Sequence, residues 1–516
     1  MANKNTVDIG FEKEIWEAAC VLRGNMDASE YKNVILGLIF LKYISDSFEA
    51  KYQELVAEGE GFEEDRDEYT SENIFFVPEG ARWKDIADAA HTPEIGIVID
   101  KAMAAIEDEN PKLKNILPKN FARPELDKRR LGEVVDLFTN VQMDEGTDEK
   151  DLLGRTYEYC LTNFAEQEGK NAGQFYTPSC VVRTIVEILQ PFDGRVYDPC
   201  CGAGGMFVQS ASFVKNHSGN INDISVYGQE SNPTTWKMAK MNLAIRGIDC
   251  NLGEIPEDTF LSDQHPKMKA EYIMANPPFN LNPWGADKLK EDQRWVYGTP
   301  PANNANFAWM QHMIWHLSTE GKIGMVLANG SLSSQSGGEG DIRKNIIEAD
   351  LVDCIISLPT QLFYTTGIPV CLWFLNKKKA RPGETLFIDA RNLGTMVTRR
   401  LRELTDFEEN EKGEKGDIQK IADTYKAYVD GSLEDKKGYC AVVSTEDIAK
   451  QDFILTPGRY VGMEENADDG EPFEERMEKL SSELFALFKR SHELESDIRR
   501  KLKAIGYEDE DDIDSE

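Results

Sequence analysis

The residues best placed to do chemistry stand where apolar runs end. The stretch EYIMAN, 271–276, alternates as a short strand does and then runs into Asn276-Pro277-Pro278-Phe279. Two prolines remove two backbone donors and cannot continue a central strand, so the chain must leave the sheet there. An amide and an aromatic ring beside stiff prolines imply that something other than sheet pairing is held at this point. A second such place is Asp198-Pro199-Cys200-Cys201-Gly202-Ala203-Gly204-Gly205, which precedes an apolar stretch beginning at Met206. Glycines here let the backbone turn sharply and approach a ligand in the crevice at the carboxyl ends of strands. Such turns also serve nicotinamide enzymes, and some are only structural. Glu230 closes the next run, ISVYGQ, where a carboxylate can accept from both hydroxyls of a ribose. A solvated glutamate is the plainer reading of that residue alone. Asn232-Pro233 after it reads as a helix cap and first helical residue, which steadies the turn carrying Glu230.

These positions need a sheet to hold them. From about Gly173 apolar runs alternate with helical stretches, with candidate strands at 195–200, 224–229, 271–276, 322–329, 351–359 and 369–376. Between them lie the helix candidates PSCVVRTIVEILQ, PTTWKMAKMNLAIRG and NFAWMQHMIWHL. The alternation predicts an α/β fold, a mostly parallel sheet with helices on both faces. Only TQLFYTTGI separates the last two candidate strands, which suits a hairpin better than a helical crossover. Upstream, Ile15, Ala19, Leu22, Val34, Leu38, Leu41 and Ile44 recur at helical spacing, and the pattern resumes at 95–106 and 131–138. This predicts a helical N-terminal region interrupted by the solvated acidic loop EGEGFEEDRDE. Beyond Asn376 come a basic patch, KKKARP, a strand-like run, TLFIDAR, and a mixed charged stretch. From Phe473 a heptad-like spacing of Met477, Leu480, Leu484, Leu487, Leu494, Ile498 and Ile505 predicts a long helix with a partner-facing seam. The chain thus divides into a helical domain, 1–165, an α/β domain, 166–395, a mixed charged connection, 396–470, an assembly helix, 471–506, and a disordered acidic tail, 507–516.

Composition narrows the function. The net charge of −34 would repel phosphates over most of the surface, so tight unaided binding to nucleic acid is excluded without a local basic groove or a basic partner. Lys377, Lys378 and Lys379 with Arg391, Arg399, Arg400 and Arg402 form the one basic cluster late in the chain, and solvated charge is the simpler reading for most of them. The longest apolar run, 34–41, is too short to span a bilayer, and a cytoplasmic protein without membrane contact is expected. Nine scattered cysteines show no zinc spacing, so no metal site is expected and reduced, mostly buried thiols are.

A strand end carrying Asn-Pro-Pro-Phe, after a glycine loop and an acidic strand end, resembles the amino-group methyltransferases that use S-adenosylmethionine, and implies their Rossmann-like sheet. By this resemblance Asn276 and the Pro277 carbonyl accept hydrogen bonds from an exocyclic NH2, Pro278 stiffens the turn, and Phe279 stacks on a base rotated out of the duplex. An aromatic amine is a poor nucleophile because its lone pair is delocalised, and two acceptors can relocalise that pair. The resemblance further implies that Gln174, Phe175, Tyr176, Thr177 and Pro178 cover the methionine end of the cofactor, and that Asp198, Pro199, Gly202, Gly204, Gly205, Glu230, Asp258 and Asn276 line its site. Thr177-Pro178 also makes a good helix start. With RWVYGTPPANNANFAWMQHM, VLANGSL and IISLPTQLFYTTGIPVCLWFLNK in this order, residues 11–395 look like the modification subunit of type I restriction–modification systems. The Asp-Pro-Cys-Cys turn varies from many relatives but keeps both loop glycines. Such a subunit methylates N6 of adenine in double-stranded DNA. Its partners would be a specificity subunit, with two methyltransferase chains per specificity chain, and a restriction (nuclease/translocase) subunit where the system has one. A catalytically idle scaffold of a defence complex and a methyltransferase acting on RNA or protein glutamine are the competing readings. Intact Gly202, Gly204, Glu230, Asn276 and Phe279 count against the first, and the flanking helical regions against the second.

Overall fold

A computed structural model describes residues 28–140, 177–217, 219–363, 367–399, 401–407, 409–410, 413–463 and 473–504, with positions 16, 20, 22, 156, 157, 159, 160, 163 and 164. The chain forms two compact units, Met1–Gly462 and Met463–Glu516.

The N-terminal part of the first unit contains α1 (Ala28–Glu58), α2 (Ile95–Glu109) and α3 (Lys128–Thr139). Asp127 caps α3 by accepting from the Arg129 and Arg130 N–H groups, and Leu131, Val134, Val135 and Phe138 recur at helical spacing to face the interior. In α1 nearly every residue from Val34 to Leu41 is buried, which makes it the central helix of this cluster. The solvated acidic loop expected after it holds one short helix, Arg66–Thr70.

The remaining elements build a nine-stranded sheet. In chain order it uses α4 (Ser179–Leu189), β1 (Gly194–Asp198), α5 (Gly205–Asn216), β2 (Ile224–Gly228), α6 (Pro233–Ile245), β3 (Cys250–Asn251), β4 (Ala270–Ala275), α7 (Asn306–His316), β5 (Leu317–Ala328), α8 (Glu339–Glu348), β6 (Val352–Ser357), β7 (Val370–Asn376) and β8 (Glu384–Asp389). A small ribbon of β9 (Thr395–Met396) and β10 (Arg402–Glu403), then α9 (Asp417–Val429) and β11 (Cys440–Ser444), complete it. Spatial order is β11-β8-β6-β7-β5-β4-β1-β2-β3. β1 to β5 run parallel, while β7 lies antiparallel between β5 and β6, so the short connection before β7 does make a hairpin. The charged stretch after β8 is more than a connection, since β11 pairs with β8 and α9 packs Ile418, Ile421, Tyr425 and Tyr428 against the sheet.

Burial on both faces follows the two-residue strand period. In β7, Val370, Leu372 and Phe374 face the side covered by α4, α5, α6 and α9, while Cys371, Trp373 and Leu375 face the side of α7 and α8. Helix α6 is buried on two sides: Trp236, Ala239 and Leu243 meet the sheet, and Met238, Met241 and Ile245 meet the N-terminal helices. Strand order reverses between β1 and β4, the point at which open α/β sheets leave a crevice at their carboxyl ends. All nine cysteines are free and only Cys20 is exposed. Among the described residues no helix is long and apolar enough to cross a membrane.

The second unit contains α10 (Phe473–Ala504). On it Met477, Leu480, Leu484, Phe485, Leu487, Phe488, Leu494 and Ile498 are all exposed.

Candidate active site

The crevice is built from the ends of β1, β2 and β4. After Asp198 the chain turns through Gly202 and Gly204, whose φ angles of 54° and 83° lie in the left-handed region that side chains disfavour. The turn is tied down on three sides. The Gln229 N–H donates to the Asp198 carbonyl at 3.1 Å, the Asn242 amide donates to the Ala203 carbonyl at 2.7 Å, and the Thr259 hydroxyl donates to the Pro199 carbonyl at 2.6 Å.

Glu230 reaches across to this turn. Its carboxylate accepts from the Gly202 N–H at 3.1 Å and the Asn232 N–H at 2.8 Å, one on each oxygen. The Ser231 N–H and hydroxyl also act on this carboxylate. Asn232 caps α6 through the Thr234 and Thr235 N–H groups, with Pro233 in the first turn, as the sequence predicts. Burial raises the Glu230 carboxyl above its ordinary range, opposed by the N–H groups of Asn232 and Gly202. Asp198, also buried, is pushed up to about 7 by burial, with Glu230 adding to the rise and the Cys200 N–H opposing it. Burial likewise lifts the Cys200 and Cys201 thiols, so neither is a ready thiolate.

Asn276 leaves β4 toward the same crevice. Its Nδ2 donates to the Thr177 hydroxyl at 3.0 Å, whereas its Oδ1 is buried and has no hydrogen-bond partner. Buried acceptors are rarely left unmade. Phe279 is partly buried and meets Phe363 edge-on, with ring centroids 6.1 Å apart. The chain after Phe279 is held by asparagines. Asn280 Oδ1 accepts from Asn304 at 3.2 Å and from Asn306 at 2.9 Å, and Asn306 Oδ1 accepts from the Asn280 N–H at 3.0 Å. Thr177 and Pro178 stand at the head of α4. Gln174, Phe175 and Tyr176 lie outside the described residues. Asp258 closes a turn by accepting on Oδ1 from the Phe260 and Leu261 N–H groups, both at 2.9 Å.

Comparison with known proteins places the chain in a family. A family model described as N-6 DNA methylase matches residues 148–469, and one described as HsdM N-terminal domain matches residues 11–138. The methylase subunit of the type I restriction enzyme HindI from Haemophilus influenzae is 47% identical over 84% of this chain and 100% of its own length. The chain belongs to the N-6 DNA methylases. The type I restriction enzyme MjaIX methylase subunit of Methanocaldococcus jannaschii is 38% identical over 96% of this chain and 92% of its own. A type I restriction-modification system methyltransferase subunit from Streptococcus thermophilus shares the fold, with a TM-score of 0.74 at 24% identity, covering 87% of this chain and 98% of that one.

Behind the crevice of the methylase lies a buried polar network that the sequence does not announce. Arg294 Nη1 donates to His312 Nδ1 at 3.0 Å, and His312 Nε2 is 3.0 Å from the Tyr197 hydroxyl. His316 sits 2.9 Å from Asp263 through Nε2 and 3.0 Å from the Met268 carbonyl through Nδ1. Asp263, His312 and His316 are close enough to share a metal ion. Both ring nitrogens of each histidine are already engaged, however, and a guanidinium occupies His312, so the group works as packing. Burial, with His316 and Arg294 nearby, holds His312 well below its ordinary range. Arg294 also donates to the Phe260 carbonyl at 2.7 Å, which fixes the turn carrying Asp258.

No local pattern in the sequence marks Phe363 or the asparagines 280, 304 and 306 as site residues. The only signal for them is their position inside long stretches that resemble the family.

Proposed function

We propose that this methylase transfers a methyl group from S-adenosylmethionine to N6 of adenine in double-stranded DNA, with Asn276, Pro277, Pro278 and Phe279 forming the catalytic turn. One observation carries the reading: Asn276 presents a buried amide oxygen without a donor, while Thr177 occupies its NH2 group. With Nδ2 turned to Thr177, the amide oxygen is the atom left to accept from an exocyclic N–H. When bound, S-adenosylmethionine supplies a methyl group made electrophilic by its sulfonium. The chain's own residues do the rest. Oδ1 of Asn276 and the Pro277 carbonyl draw the two N6 hydrogens out of the ring plane and so localise the lone pair on nitrogen. Phe279 supports the flipped base, with Phe363 braced against it. No base of shifted pKa is needed, because the nitrogen becomes acidic once alkylated.

The donor set suits the cofactor. Gly202, Gly204 and Gly205 keep side chains out of the turn, Glu230 would accept from the ribose hydroxyls, and Asp198 and Pro199 carry the turn. Asp258 would face the adenine with its remaining oxygen. Gln174, Phe175, Tyr176, Thr177 and Pro178 would close over the methionine end.

In this reading the chain works in the cytoplasm as one of two methyltransferase chains on a specificity subunit, joined by a restriction subunit where one exists. The relatives' names as subunits of restriction enzymes support an assembly. Residues 1–165 would be the helical domain, 166–395 the catalytic domain, 396–470 the connection and 471–506 the assembly helix. The exposed apolar residues of α10 favour that last role.

The test is Asn276→Ala. Transfer should be abolished while cofactor affinity stays near wild type, because the amide acts on the transition state. Full turnover in that variant would sink the reading.

A further inference from the structure

The basic stretch that follows β7 is mostly neutralised within the molecule. Lys379 pairs with Asp350 at 2.6 Å, Arg381 with Glu384 at 2.6 Å and Arg391 with Asp389 at 2.5 Å, while Lys378 pairs with Glu320. Lys377 donates to the Leu317 carbonyl at 2.9 Å, and Arg402 to the Leu393 carbonyl at 3.0 Å. Arg399 differs. It is exposed at the turn between β9 and β10 and forms no ion pair among the described residues. Beside it on the same ribbon Met396 is 45% and Val397 51% exposed.

The ribbon is a stiff mount. The Val397 and Thr398 N–H groups both donate to the Leu401 carbonyl, at 3.0 and 3.2 Å, and the Leu401 N–H returns to the Thr398 hydroxyl at 3.0 Å. Asp417 Oδ2 clamps the base of the ribbon, accepting from the Gly394 N–H at 3.2 Å, the Thr405 N–H at 2.9 Å and the Thr405 hydroxyl at 2.7 Å.

It is also joined to the base pocket. The Arg402 N–H donates to the Gln361 carbonyl at 2.8 Å, and Gln361 lies two residues before Phe363, the ring that braces Phe279. Gln361 adopts φ 65°, a left-handed conformation that turns the chain at this junction. Leu404, just beyond the ribbon, shares one apolar cluster with Leu362 and Phe363.

We propose that this ribbon is a DNA contact of the methylase, seated on the duplex beside the flipped adenine. Arg399 meets a backbone phosphate, and Met396 and Val397 lie against the sugar edge. Charge complementarity selects DNA as the occupant. In a chain of net charge −34, an exposed guanidinium with no ion pair among the described residues, on a hydrogen-bonded mount joined to the target pocket, is the local positive site that a phosphate needs. The inference rests on the adenine pocket proposed above.

The experiment uses the methylase assembled with its specificity subunit and a duplex bearing the recognised site, with affinity measured by fluorescence anisotropy over a range of salt. Arg399→Ala should bind DNA several-fold more weakly. Its plot of log K against log salt should be less steep by about one per methylase chain. Arg399→Lys should keep the wild-type slope, and both should keep cofactor affinity and melting temperature. Unchanged affinity and slope in Arg399→Ala would overturn the proposal, as would a loss explained by a lowered melting temperature. The pocket is tested separately: full turnover by Asn276→Ala removes that reading and leaves the salt slope of Arg399→Ala to be judged by itself.

Discussion

Replacing Thr177 by Val keeps the shape of the side chain and removes the hydrogen bond made by the Asn276 amide, the group proposed to receive the substrate amine. Asn276 Nδ2 donates to the Thr177 hydroxyl at 3.0 Å, and no partner holds Oδ1. Without Thr177 the NH2 end loses its partner, and an amide that turns over presents N–H groups to an exocyclic amine that also offers N–H. The amide bond to Thr177 is neutral and partly buried, so its loss is worth about 0.5–1.5 kcal/mol. If all of that falls on the transition state, methyl transfer slows by roughly two- to tenfold. Single-turnover transfer on a duplex with saturating cofactor reads this directly. Thr177→Ser keeps the acceptor and should stay near the wild-type rate. An unchanged rate in Thr177→Val would refute the orienting role. A loss of cofactor affinity as large as the loss of rate would instead assign the hydroxyl to the methionine end of the cofactor.

Three further outcomes follow from the site. Glu230→Ala removes the proposed ribose acceptor and leaves the Gly202 and Asn232 N–H groups unpaired, so calorimetry should show cofactor binding weakened by at least ~1–3 kcal/mol; unchanged affinity would remove Glu230 from the site. Asp198 titrates near 7 when folded against 3.8 as its ordinary value, so the folded chain holds an extra proton between those values. Its contribution to stability is full below the lower value and declines, by at most ~1.4 kcal/mol per pH unit, until pH passes the upper one. A cationic cofactor favours the ionised carboxylate, so its affinity should rise severalfold from about pH 6 to about pH 8 and level off, and Asp198→Asn should flatten the profile. Truncation before Phe473 should leave a chain that folds and binds cofactor but no longer co-elutes with its specificity subunit, because α10 exposes its apolar seam and a lone helix of this kind needs a partner; full-rate methylation of the recognised site by the truncated chain would contradict the assembly role.

Local pattern was enough for most of the sheet. Runs such as 195–200 and 369–376 are bounded by turn residues, and they match Gly194–Asp198 and Val370–Asn376 to within two residues. The early start of β5 at Leu317 was hidden because its first residues, LSTEG, are mostly polar and its pairing with β4 is irregular there. Helix α9 carries an apolar stripe, but charged residues surround it, and β11 finds its place only by pairing with β8 across more than fifty residues. In the site, Glu230 and Asn276 stood out because each closes an apolar run with a polar residue. Phe363 did not, since nothing near it in the chain says that its ring meets Phe279. The asparagine clasp of 280, 304 and 306 was equally silent, because side-chain pairing between loops has no period to read.

In the proposed reaction the Asn276 turn presents acceptors to the exocyclic amine of adenine. Its most direct test is nucleoside mass spectrometry of duplex DNA after incubation with S-adenosylmethionine and the methylase assembled with its specificity subunit. One modified nucleoside should appear, N6-methyladenosine in its deoxy form, and it should be absent when Asn276→Ala replaces the wild-type chain. N4-methylcytosine as the product, or the same yield of N6-methyladenine from Asn276→Ala, would contradict it.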